Sequence, residues 1–186
     1  MTTMSEPAAA SAPAGTRWVL EFNAPVAPLS SNDRRKKIAQ AGDIRAWRTA
    51  VWAAARAAKL PVGGVERIRL DILLRFADRP DRRIPDRESS NYEAATGKAL
   101  LDGLTPSKPV RKRPFPGAPV ATVGHTIGYG LIPDDKDRNV DGPHLVIGEP
   151  LEWWPAAPTA TVRVTVTVLE PWPPVVRSAR RRAAVR

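Results

Sequence analysis

The side chains in this chain most able to do chemistry are carboxylates set among cations. Asp86 and Glu88 are one residue apart. In an extended segment residues i and i+2 face the same way, so both carboxylates can converge on one ion. Asp134 and Asp135 are adjacent and follow Pro133, and Asp102 follows Lys98 by one helical turn. Carboxylates that face DNA phosphates repel them, so acidic groups near a basic surface point to a bound divalent cation. Hard oxygen ligands suit Mg²⁺, with Mn²⁺ as a substitute. Such a metal bridges carboxylate and phosphate and activates water for in-line attack. Taken singly, each group has a plainer reading: a solvated loop pair, a turn after proline, and an i,i+4 surface ion pair.

Stepping along the chain gives the elements that must position these residues. Residues 17–23, rich in β-branched and aromatic side chains, predict a first strand. Pro28 to Lys37 form a polar, basic loop containing Asn32, Arg34, Arg35 and Lys36. Asp43 is placed to cap a helix over 44–59, with Ile44, Trp47, Val51, Ala54 and Ala58 as its apolar stripe. Residues 65–76 alternate, with Val65, Ile68, Leu70, Ile72 and Leu74 against Arg67, Arg69, Asp71 and Arg75, and a slip near Glu66. This predicts a half-buried strand. A helix is expected over 91–104, capped by Ser89 or Ser90, with Leu100, Leu101 and Leu104 inward. Gly97 within it costs ~1 kcal/mol against Ala, so its early turns are expected to be irregular.

Residues 105–128 are Pro- and Gly-rich and carry Lys108, Arg111, Lys112 and Arg113 with no acidic residue. They read as a mobile basic loop, or a hairpin at most. Residues 160–169 predict a last strand, with Val162, Val164, Val166 and Val168 on one face. The order strand, helix, strand, helix, then one or two more strands implies an α+β domain, a small mixed sheet covered by two helices. Residues 1–15 read as a disordered arm, 16–170 as one domain, and 171–186 as a Pro- and Arg-rich tail.

Composition narrows the function. The chain has 186 residues and a formal charge of +10, which favours a polyanionic partner. With no cysteine and only His125 and His144, a disulfide framework or a thiolate or histidine zinc centre is not expected. No apolar run is long enough to span a bilayer, and the N-terminus lacks the basic start and apolar stretch of a secretory signal. The expectation is a protein with no membrane partner, located in the cytoplasm.

The order of the motifs resembles a family. Pro28-Leu29-Ser30-Ser31-Asn32 precedes the strand 65–76; Asp86-Arg87-Glu88-Ser89-Ser90-Asn91 opens a helix holding Lys98 and Asp102-Gly103-Leu104; Pro133-Asp134-Asp135 and Gly142-Pro143 follow. This succession is similar to the RusA-type Holliday-junction resolvases, closest to the branch encoded by actinobacteria and their phages. It covers roughly 18–169, with 86–135 as the specific part. Three departures stand out: the acidic motif is stretched by two serines, Asn91 to Lys98 is seven residues rather than three, and the insertion 105–128 separates the helix from Asp134-Asp135.

The resemblance implies a Mg²⁺-dependent endodeoxyribonuclease that resolves four-way or related branched DNA as a homodimer. It implies Asp86, Glu88 and Asp135 as metal ligands, with Asp134 sharing the load. It implies Lys98 as the basic residue at the reacting phosphate, with Asp135 also catalytic, and Asn91 orienting the site. Asn32, Arg34, Arg35, Lys36, Lys108, Arg111, Lys112 and Arg113 would contact the nucleic acid, chiefly its phosphates, supplying affinity that falls with salt. The reading from a different class is a non-catalytic basic DNA- or RNA-binding protein whose carboxylates are structural.

Overall fold

A computed structural model describes residues 11–32, 37–78, 87–113, 115 and 119–171, the side chains of 37–39 and 112 excepted. Strand β1 (Arg17–Asn23) is followed by helix α1 (Lys37–Ala57) and strand β2 (Val65–Phe76). Next come α2 (Ser89–Tyr92), a π-helical turn (Glu93–Gly97) and α3 (Lys98–Leu104), in direct succession. Strands β3 (Pro109–Lys112), β4 (Ala121–His125), β5 (Val140–Ile147) and β6 (Ala160–Pro171) complete the order. The fold is α+β, as the sequence implies.

The main sheet has the order β1-β6-β2-β5. It is mixed: β6 runs antiparallel to β1 and β2, whereas β2 and β5 are parallel. Parallel neighbours need a crossover connection, and α2, the π turn and α3 lie within that connection. The even-numbered valines 162 to 168 of β6 are at most 2% exposed, beside Leu20 of β1 and Ile68, Leu70, Ile72 and Leu74 of β2. Each such side chain contributes about 1.5–3 kcal/mol by leaving water. Trp47, Val51 and Ala55 from α1 and Leu100, Leu101 and Leu104 from α3 belong to the same core. The slip near Glu66 is a register shift of β2 against β6. Arg69, Arg163 and Val19 mark the other, more exposed face.

Several elements differ from expectation. Helix α1 begins at Lys37, so Asp43 lies within it rather than capping it, and it ends before Ala58, which is exposed. The second helical stretch starts at Ser89, with Glu88 at the cap position, so neither serine caps it. The irregularity expected near Gly97 is the π turn. A Cβ on Gly97 would sit 3.1 Å from Pro143 Cγ, so the bare glycine lets this turn lie against the start of β5. Strand β5 was not localised by its sequence, because Asp141-Gly142-Pro143 interrupts any alternation. The basic insertion forms the two-stranded ribbon β3–β4. Of the N-terminal arm, the described part packs: Ala12 is buried, and Gly15 N donates to Val168 O at 2.8 Å. Among the described residues, no helix is long and apolar enough to cross a membrane.

Candidate active site

Lys98 is the first residue of α3. Its ammonium donates to Asp135 Oδ2 and lies 3.0 Å from Asp102 Oδ1, one turn further along. Arg48 of α1 donates to the other oxygen of Asp102. Lys108, between α3 and the ribbon, reaches Asp134 Oδ1 at 3.1 Å and Asp135 Oδ1 at 3.6 Å. Lys136 reaches Asp134 Oδ2 at 3.1 Å. Carboxylates and cations from four stretches of chain therefore alternate in one cluster.

Backbone satisfaction explains how Asp134 and Asp135 arrive there. The last carbonyls of a helix have no partner within it. Here Tyr129 N donates to Gly103 O at 2.8 Å, Gly130 N to Thr105 O at 3.1 Å, and Leu131 N to Leu104 O at 2.9 Å. Leu131 and Ile132 are buried at 0% and 1% exposure. The segment is thus fastened to the end of α3 and carries the aspartates back beside Lys98. Gly103 sets the opposite wall: a Cβ there would sit 2.3 Å from Val51 Cγ1 and 3.2 Å from Arg48 Cα. Its absence lets α3 approach α1 closely enough for Arg48 to meet Asp102.

The electrostatics follow from these pairs. The Lys98 hydrogen bond holds Asp135 below the ordinary carboxylate range, against a partial cost of burial. Lys108 and then Lys136 hold Asp134 lower still. For Lys98, burial works to lower the pKa, but the hydrogen bonds to Asp135 and Asp102 outweigh it and the net shift is upward. Lys108 is raised chiefly by its hydrogen bond to Asp134. Both aspartates are therefore ionised and both lysines charged at neutral pH.

A second group lies upstream. Asn91 Nδ2 donates to Glu88 Oε2 at 3.3 Å, and Ser31 Oγ donates to Asn91 Oδ1 at 3.1 Å. Ser31 N also donates to Asn91 O at 2.8 Å, fixing the Pro28–Asn32 loop to the start of α2. Asn32 is exposed in the adjoining turn. Glu88 lies ten positions before Lys98, at the cap position ahead of α2 with extended backbone. Among the described residues, Glu88, Asp134 and Asp135 do not form a three-carboxylate group that could hold a metal. Arg87, next to Glu88, pairs with Asp78 and lies 3.8 Å above the Phe76 ring.

Arg111 of β3 and Arg113, just past its end, are exposed. Asp86, Arg34, Arg35, Lys36 and the Lys112 side chain lie outside the described residues. The sequence reading missed Arg48, Lys136 and Thr126. Thr126 lines a cavity of about 260 Å³ together with Arg48, Lys98, Asp102, Lys108 and Asp135. Only the charge of Arg48 and Lys136 marked them in the sequence, and nothing marked Thr126.

No family model matches the chain, and no curated protein matches it.

Among the described residues, no three carboxylate or imidazole groups are arranged to hold a metal. Mg²⁺, however, is commonly bound by one or two protein carboxylates together with water and phosphate oxygens. Asp134 and Asp135, adjacent and ionised, fit it in kind and number. The lysines around them add positive charge, which suits an anionic ligand.

Proposed function

We propose that this protein is a divalent-metal-dependent endodeoxyribonuclease that acts in the cytoplasm on branched DNA, four-way junctions or related forms, as a homodimer. The observation that carries the reading is the meeting of Lys98, Asp102, Lys108 and Asp135 at one cavity, although they come from separate stretches of chain. The order of motifs that resembles the RusA-type resolvases supports it. So does the acid-free basic ribbon that continues from Lys108.

In this reading Lys98 and Lys108 bind the non-bridging oxygens of the scissile phosphate. The Lys98 ammonium stabilises the charge that develops there as the nucleophile arrives. Asp102 and Arg48 orient Lys98 from the helix side. Asp134 and Asp135, with Asp86 by resemblance, would hold Mg²⁺, which when bound supplies charge neutralisation and an acidified water. Asn91 holds the Ser31 loop in place. Arg111 and Arg113, together with the sequence-assigned Asn32, Arg34, Arg35, Lys36 and Lys112, bind the backbone of a DNA arm.

One observation favours the second reading, a non-catalytic nucleic-acid-binding protein: Asp134 and Asp135 are both already engaged by lysines. Incubating the purified chain with a synthetic four-way junction, with and without Mg²⁺, separates the two. The nuclease reading expects nicks near the branch point only with the metal. Tight binding without nicks under any divalent cation would leave the second reading.

A further inference from the structure

We propose that the cavity bounded by α1, the Pro28–Asn32 loop and the π turn receives one unstacked nucleobase, that of the nucleotide flanking the phosphate at Lys98. The inference rests on the nuclease reading and names what that reading lacks, a physical source of preference for branched DNA.

The cavity measures about 320 Å³, more than a phosphate alone would occupy. Leu29, Ile44, Ala95 and Ala99 line it, which suits the flat faces of a base. The Ser31 hydroxyl oxygen, whose proton goes to Asn91, supplies an acceptor for a base edge. Arg48, Lys98 and Asp102 line both this cavity and the neighbouring one that holds Lys108 and Asp135. A base in the first and its own phosphate in the second would thus belong to one nucleotide.

The walls are fixed in advance. Buried Thr96 of the π turn donates its hydroxyl to Leu29 O at 2.9 Å, and Ser31 is tied to Asn91. The π turn sets Ala94 and Ala95 along the cavity, and π turns within helices occur frequently at functional sites. A base stacked in an intact duplex cannot enter such a recess. Extrusion costs a few kcal/mol, least where pairing is already broken. Pairs at a branch point lack the continuous stacking of an uninterrupted duplex and open more easily, so the cavity favours bases there over continuous duplex.

The test uses a four-way junction carrying 2-aminopurine at successive positions around the branch point, bound in Ca²⁺ or EDTA so that it stays intact. The proposal expects a several-fold rise in fluorescence at one position, and loss of that rise with Ala95→Leu or Ala94→Trp, each of which fills the cavity. Circular dichroism checks that the variants fold, and the wild-type scan stands without them. Binding with no rise at any position overturns the base site and leaves the nuclease reading intact. A rise that both folded variants preserve places the base elsewhere and also overturns it. Absence of any binding to branched DNA overturns both, and the parallel affinity measurement reveals that case.

Discussion

Lys98 and Asp135 stand 37 positions apart in the chain, and the ammonium of one donates to the carboxylate of the other. The same ammonium also donates to Asp102 Oδ1, 3.0 Å away. Replacing Lys98 by Met removes the shared cation while Arg48 still serves Asp102 and Lys108 still faces Asp135. The fold should survive, because the Lys98 side chain is 48% exposed. Cleavage of a junction should fall by about 10²–10³, as when one preorganised donor is lost at a reacting centre. Binding should weaken far less. Single-turnover cleavage and gel retardation on the same preparation check both.

The pH dependence of stability has a definite sign. The pKa of Asp135 is lowered on folding, so its contribution is present above the unfolded value of ~3.9 and is lost as pH falls through the folded one. The pKa of Lys98 is raised, so its contribution is present below ~10.4 and is lost as pH rises through the folded value. The melting-temperature difference between wild type and Asp135→Asn should therefore be flat from about pH 5 to 9 and change only beyond those limits. A step near pH 7 in thermal melts would contradict the pairing.

Gly103→Ala should destabilise the protein by about 1–3 kcal/mol, since the added carbon meets Val51 and the backbone of Arg48. At this size that lowers the melting temperature by about 2–4 °C per kcal/mol. The same change should reduce cleavage, because Arg48 is displaced from Asp102. An unchanged melting temperature would mean that α1 and α3 are not in close contact.

Arg111 of β3 and Arg113, one residue past its end, are exposed. Converting each to Ala should change stability by no more than about 0.5 kcal/mol. Each should also lower the slope of log affinity against log salt by about 0.9 if it neutralises one phosphate. A salt titration of junction binding reads this, and an unaltered slope would remove the ribbon from the interface.

Much of the frame was legible because period and burial agreed. Strand β2 runs Val65–Phe76 and β6 begins at Ala160, where alternating apolar residues place them. The start of α1 was not legible, since nothing before Asp43 carries an apolar period. Strand β5 was hidden by its own Gly142-Pro143. At the site, spacing revealed the Lys98–Asp102 pair, and motif order pointed to Asp135. Arg48 was invisible: it lies 54 residues from Asp102 and meets it only because Gly103 has no side chain.

The central claim is that Asp135 acts in cleavage and not merely in holding Lys98. The direct measurement is the Mg²⁺-dependent cleavage rate of a four-way junction by Asp135→Asn beside its affinity for the same junction. The account predicts that cleavage falls by orders of magnitude while affinity is retained or increases, since a negative charge facing phosphate has been removed. Cleavage at the wild-type rate would contradict it.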